Sequence, residues 1–174
     1  MNPAAMDPQV RIEALTPADL QELLADHARY WGDRDLRPLH LAALIHEFPS
    51  TCLLARTEEG IGGYIIGFVA PSGVGYVHLI AIRDDMRGTG LGRSLYRAFA
   101  RAAQRDGART LKAITSVGNT GSIEFHRKLG FTANVVDDYN GPGRPMVVFA
   151  RELGTEPFPI AAPGPRTGRG AAAG

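Results

Sequence analysis

The residues best suited to chemistry fall in three short stretches. Arg87-Gly88-Thr89-Gly90-Leu91-Gly92 carries glycine at every second position, just before a segment with helical apolar spacing. Glycines so placed permit positive φ and close approach of a ligand to the backbone. Successive N–H groups in such a loop form an anion nest, and a helix start adds the positive end of its dipole. The chemistry this suits is the cradling of a phosphate or pyrophosphate, with Arg87 as a forked cation at the lip. His126 and His78 are the two candidates for proton transfer, since imidazole titrates near neutral pH. His126 shares a helical stripe with Ser122, Phe125 and Leu129, so it faces the interior. His78 alternates with Ile80 and Ile82 along an apolar strand, and Tyr76 falls on the same face. For each the competing reading is a hydrogen-bonded core histidine.

The glycine loop fits two familiar phosphate motifs badly. A Walker A loop needs Lys before Ser or Thr, whereas Arg93-Ser94 follows Gly92. A dinucleotide fingerprint reads G-x-G-x-x-G, whereas Gly88, Gly90 and Gly92 give G-x-G-x-G. A strained turn with no ligand is the remaining alternative.

The elements that must hold these residues alternate in type. Val10 to Leu15 reads as a half-buried strand, and Thr16-Pro17 as the cap and first turn of a helix. A second helix is expected from Pro38 to Glu47. Three antiparallel strands follow, Thr51–Thr57, Gly62–Ala70 and Gly75–Ile82, separated by Glu58-Glu59-Gly60 and Pro71-Ser72-Gly73. The glycine loop then feeds a helix carrying Leu91, Leu95, Phe99 and Ala102 on one face, ended by Asp106-Gly107. A strand at Arg109–Thr115, a helix at Asn119–Leu129 stopped by Gly130, and strands at Thr132–Val136 and Met146–Glu152 complete the order. The crossover through the glycine loop makes its flanking strands parallel, so the sheet is mixed.

Composition narrows the class. The 174 residues suit one domain, and a single cysteine, Cys52, excludes an internal disulfide or a Cys-based zinc site. No metal is expected. The longest apolar stretch, Tyr64 to Ala70, is far short of a membrane span. MNPAAMDPQV has neither the cationic nor the apolar region of a secretory leader, so a cytoplasmic location is expected. A net charge of +1 argues against a dedicated nucleic-acid partner. Two lysines among 19 basic residues, with many Gly and Ala, suggest a GC-rich bacterial genome. Residues 154–174, rich in Gly, Pro and Ala, read as a tail unable to offset the cost of ordering. Docking of Phe158 and Ile160 on the domain or on another subunit is the alternative.

The loop resembles the pyrophosphate loop of the GNAT N-acetyltransferases, whose core is R/Q-x-x-G-x-G/A. The stretch from Asn119 to Phe131 resembles that family's second motif, in which an Asn opens a short helix ending in Gly-Phe. The resemblance covers about residues 8–153, the expected domain. It implies an acyl-CoA N-acyltransferase fold: a mixed, mostly antiparallel sheet of about seven strands, splayed in the middle, with about four helices. It implies acetyl-CoA as cosubstrate, held by the backbone of Ile80, Ala81 and Ile82, by the loop Arg87, Gly88, Thr89, Gly90, Leu91, Gly92 and Arg93, and by Asn119 and Ser122. His126 stands where the family most often has a tyrosine beside the CoA sulfur, and is expected to protonate the leaving thiolate. His78 is the expected base, since histidines on this strand help deprotonate the amine in enzymes of similar fold. Tyr30, Trp31, Tyr76, Asp138 and Tyr139 are the expected walls of the acceptor pocket. The resulting function is acetyl transfer, without a covalent intermediate, to a primary amine of a small molecule or peptide. The replaced tyrosine keeps a second class open: a non-catalytic acyl-CoA-binding or regulatory module. A homodimer is an open alternative to a single chain.

Overall fold

The computed structural model describes residues 10–154, so the expected tail lies, beyond Gly154, outside the described residues. The elements are β1 (Arg11–Ala14), α1 (Pro17–Ala25), α2 (His27–Trp31), α3 (Ala42–Glu47), β2 (Cys52–Thr57), β3 (Gly60–Val69) and β4 (Val74–Ile82). Then come α4 (Leu91–Arg105), β5 (Thr110–Thr115), α5 (Thr120–Lys128), β6 (Thr132–Val136) and β7 (Met146–Glu152). The seven strands form one sheet in the order β1-β2-β3-β4-β5-β7-β6. Only β4 and β5 run parallel. The strands and the two long helices match the expected ones closely.

The expected helix from Pro38 to Glu47 is a correction. Arg37–Leu39 is a 3-10 turn, Leu41 is extended, and α3 begins only at Ala42. His40 breaks the segment because its ring turns inward: Nδ1 bonds the Leu36 carbonyl at 2.7 Å and Nε2 meets the Tyr64 hydroxyl at 2.6 Å. The first helix also divides, at Asp26, which ends α1 and begins α2. Its start is as expected. Thr16 and Asp19 form a reciprocal capping box, and Arg56 joins Asp19 and Glu13 at 2.7 Å each, tying α1 to the first two strands.

Each face of the sheet carries its own core. Leu91, Leu95, Tyr96 and Phe99 of α4 pack on Ile65, Val77, Leu111 and Phe149. Spacing of three and four residues brings that stripe onto one helix face, while Arg101 and Arg105 lie exposed on the other. Each fully buried Leu or Phe here contributes on the order of 1.5–3 kcal/mol. On the opposite face, Leu20, Leu23, Tyr30 and Ile45 pack on Leu54, Tyr64, Ile66 and Leu79.

Candidate active site

The loop between β4 and α4 is built on its backbone. Gly88 and Gly90 have φ of +76° and +86°, and a Cβ added at either would meet nothing within 4 Å. The loop therefore presents open backbone on its outer side. Gly90 is the N-cap of α4 and no side chain caps that end, which leaves first-turn N–H groups for an external anion. Thr89 braces the turn, its hydroxyl donating to the Met86 carbonyl at 2.6 Å. Upstream, Arg83 is buried and held by Asp85 at 2.7 Å and Glu59 at 3.4 Å. The side chain of Leu91 lies in the core, so only its backbone faces the loop.

Two loop residues depart from expectation. Gly92 does not serve a ligand through open space: a Cβ there would sit 3.0 Å from Phe125, so this glycine lets α5 pack on α4. Arg87 is not at the lip of the loop. Its guanidinium folds back to the carbonyls of Tyr30, at 3.0 Å, and Ile82, at 3.4 Å. The Nε atoms of Arg93 and Arg97 are buried without a hydrogen-bond partner.

Beside the loop the sheet opens. β4 pairs with β5 only at Val74–Thr110, Gly75–Leu111 and Tyr76–Lys112. Beyond that vertex β4 pairs only with β3, and β5 only with β7. The β5-facing edge of Val77–Ile82, including Ile80, Ala81 and Ile82, thus has backbone groups unpaired within the sheet. A slot of this kind accepts an extended, amide-containing chain by main-chain hydrogen bonds. Asn119 stands at the β5 side of the open end. Its Oδ1 caps α5 by accepting from the Ser122 N–H at 3.2 Å, and its amide donates to Thr115 Oγ1 at 2.9 Å.

The sequence of residues 18–131 matches the acetyltransferase (GNAT) family profile. The chain belongs to the GNAT acetyltransferase family. The L-methionine sulfoximine/L-methionine sulfone acetyltransferase of Pseudomonas aeruginosa is 43% identical over 54 residues, 31% of each chain. The chain thus matches about a third of that relative's length. Among solved structures, Ard1 from Thermoplasma volcanium superposes with a TM-score of 0.69 at 17% identity, covering 83% of this chain and 98% of that one. Salmonella typhimurium yncA, solved with its cofactor acetyl-CoA, gives 0.64 at 20% identity, covering 88% and 99%. These likenesses establish the shared fold.

Within this GNAT fold the two histidines have unlike settings. His126 is buried, with Nδ1 2.8 Å from the Ser122 carbonyl and Nε2 2.7 Å from the Tyr96 hydroxyl. The carbonyl can only accept, so Nδ1 carries the proton and Nε2 accepts from Tyr96. Burial pushes its pKa down to about 4, against the Ser122 bond that favours the charged form. Near neutral pH the ring is uncharged and both nitrogens are engaged. The expectation of a partly cationic proton donor does not fit this setting. Ser122 Oγ, at 3.4 Å, is only a weak neighbour of the same ring.

His78 occupies a β-bulge. Ile66 pairs with Leu79 and Gly67 with Val77, leaving His78 as the extra residue on β4. The expectation that Tyr76, His78, Ile80 and Ile82 share one face is corrected by that bulge, which inverts the alternation. Ile80 and Ile82 lie with Val77 toward α4, whereas Leu79 and Ala81 lie toward α1–α3. Tyr76 is on the α1–α3 side, packed beside Phe68. His78 Nε2 lies 2.9 Å from the Leu39 carbonyl, so Nε2 carries the proton and Nδ1 keeps the lone pair.

The expected acceptor residues separate. Tyr30 is a core residue, its hydroxyl donating to the Ile61 carbonyl at 2.7 Å, so it does not wall a pocket. Trp31 is half-buried and donates from Nε1 to the Tyr64 hydroxyl at 2.7 Å. Asp138 is spent on its own loop, Oδ1 accepting from the Gly143 N–H at 2.6 Å. Tyr76 is half-buried and Tyr139 is exposed. A concavity of about 200 Å³ lined by His27, Asp33, Arg34, Asp35 and Arg37 lies apart, since none of the slot residues lines it. Sequence reasoning missed Tyr64 and His40. Their signal was the phenol itself: a tyrosine inside an apolar strand needs a buried partner. Cys52 is buried on the carbonyls of Leu44 and Gly67, with its thiol pKa raised by that burial.

Proposed function

We propose that the protein transfers the acetyl group of acetyl-CoA to the nitrogen of a primary amine, by direct attack of the amine on the thioester. The observation that carries this reading is the slot between β4 and β5 opening beside the uncapped N-terminus of α4. The loop backbone from Gly88 to Arg93 suits the pyrophosphate, with the Arg93 guanidinium as its cation. The unpaired edge from Val77 to Ile82 suits the amide-bearing arm, and one of its N–H groups would stabilise the oxyanion, a role worth ~3 kcal/mol in comparable sites. Asn119 braces the far side.

In this reading His78 Nδ1 takes the proton of the attacking amine, directly or through a water. An alkylammonium has a pKa near 10, so a base is needed before attack. The leaving thiolate, of conjugate pKa ~8.5, departs without a dedicated acid. His126 then serves packing, not proton transfer. Cys52, buried with a raised pKa, is a poor nucleophile, which favours direct transfer over an acyl-enzyme. The named P. aeruginosa relative supports a small amino-acid-like acceptor.

Release of free CoA from acetyl-CoA, followed with and without a panel of primary amines, tests the reading. Amine-dependent release supports it. Tight CoA binding with no transfer to any amine would instead favour a non-catalytic acyl-CoA-binding module.

A further inference from the structure

Three aromatic rings stand in a row that neither core absorbs. Phe48 follows α3, Phe68 lies on β3 and Tyr76 on β4. Their centroids are 5.4 Å apart from Phe48 to Phe68 and 5.5 Å from Phe68 to Tyr76, with tilts of 40° and 44°. None of the three belongs to either buried cluster. Phe48 is 36% exposed, and Phe68 and Tyr76 are half-buried. The row ends at the vertex of the slot, because Tyr76 is the last β4 residue paired with β5. His78 is two residues further along, roughly 7 Å by strand rise. Tyr139, 44% exposed, reaches in from the β6–β7 loop, and its phenol raises the Tyr76 pKa, second to burial. Leu39, whose carbonyl holds His78, is itself 43% exposed.

Half-exposed rings in line form a wet apolar surface, which a ligand stabilises by covering it. The position of the row selects the ligand. Whatever lies on Tyr76 and Phe68 sits a few bonds from a nitrogen held at His78. Lys112, paired with Tyr76 across the strands, places a cation beside the row, and Asp138 Oδ1 is already bonded to the Gly143 N–H.

We propose that the Phe48–Phe68–Tyr76 row is the acceptor subsite, and that the acceptor is a primary amine carrying a bulky apolar group two to three bonds from its nitrogen. This rests on the acetyl-transfer reading and narrows it, from any amine to one with an aromatic or branched aliphatic side group.

The test is calorimetric titration of 2-phenylethylamine, isoamylamine, ethylamine and ethanolamine into the protein saturated with CoA. The two bulky amines are expected to bind at least 10-fold more tightly than the two small ones. Phe68→Ser is expected to remove that preference while CoA affinity stays unchanged. Phe48→Ser, at an exposed helix end, does the same if the strand variant fails to fold. Equal binding of all four amines overturns the inference, as does a Phe48→Ser protein that keeps the full preference. A dimer that Phe48→Ser dissociates also overturns it, assigning the row to a second copy of the chain. The CoA titration separates the two levels. Absence of CoA binding defeats the acetyl-transfer reading itself, whereas CoA binding with no bulky-amine preference defeats the acceptor subsite alone.

Discussion

His126 lies flat on Phe149, with ring centroids 3.9 Å apart and planes 6° from parallel. The Tyr96 ring meets it edge-on at 5.4 Å, and its hydroxyl bonds Nε2 at 2.7 Å. One imidazole thereby joins α5 to β7 and α4. Burial in this apolar stack favours the neutral ring, in which Nε2 accepts from the Tyr96 hydroxyl.

That preference makes stability depend on pH. In the folded protein burial pushes the His126 pKa down to about 4, from an ordinary value of about 6.5. The unfolded chain therefore binds the proton more readily, and folding stability is complete above pH 6.5 and declines as pH falls toward 4. The limiting loss is about 3 kcal/mol, at 1.36 kcal/mol per pKa unit. In urea titrations from pH 7.5 to 4, His126→Phe should show a shallower decline than wild type. It should be less stable at pH 7, because the ring's bonds to Tyr96 and Ser122 are lost, on the order of 1 kcal/mol each. Turnover per folded molecule should stay nearly unchanged. A His126→Phe protein with the wild-type pH slope would refute the assignment.

The fold was legible because its signals are local. Apolar alternation marked the strands, Thr16 and Asn119 marked helix starts, and the Leu91–Leu95–Phe99 spacing marked α4. The faces of β4 were not legible, since a bulge at His78 depends on pairing with β3 that no strand shows by itself. The direction of Arg87 was hidden for a like reason: its partners are main-chain carbonyls, which carry no residue signature. His126 was placed inward correctly, but its saturation by Tyr96 and Ser122 joins residues 30 and 4 positions apart.

Gly90 and Gly92 should respond oppositely to a side chain. Gly90→Val meets no neighbouring atom but strains the backbone at φ +86°, so the loop alone deforms and its backbone becomes obstructed. CoA affinity should fall at least 100-fold, with a melting temperature lowered by only a few degrees. Gly92→Val drives its side chain into Phe125, and overpacking of this kind costs about 1–3 kcal/mol. Thermal melts and CoA titrations on the two variants check the contrast. Unchanged CoA affinity in folded Gly90→Val would remove the loop from the binding site.

His78 should control the rate of transfer. His78→Gln keeps a donor for the Leu39 carbonyl and removes the Nδ1 lone pair. The expected loss in kcat/KM is ~10²- to 10⁴-fold, with CoA affinity unchanged. A variant retaining the wild-type kcat/KM would show that another group removes the proton.

Tyr64 should matter to turnover without touching the slot. Its hydroxyl accepts from Trp31 Nε1 and, since His40 Nδ1 donates to Leu36, gives its proton to His40 Nε2. That chain pins the 3-10 turn whose Leu39 carbonyl holds His78. Tyr64→Phe leaves the Trp31 donor and the His40 acceptor without this partner, at about 1–3 kcal/mol. At roughly 3–4 °C per kcal/mol for a domain of this size, the melting temperature should fall by about 3–12 °C. Turnover should fall several-fold because the His78 ring loses its fixed anchor. A double variant separates the two effects. If Tyr64 acts through His78, adding Tyr64→Phe to His78→Gln lowers stability again but leaves the residual rate where His78→Gln had put it. A further several-fold drop in the double variant would mean that Tyr64 acts on turnover by another route.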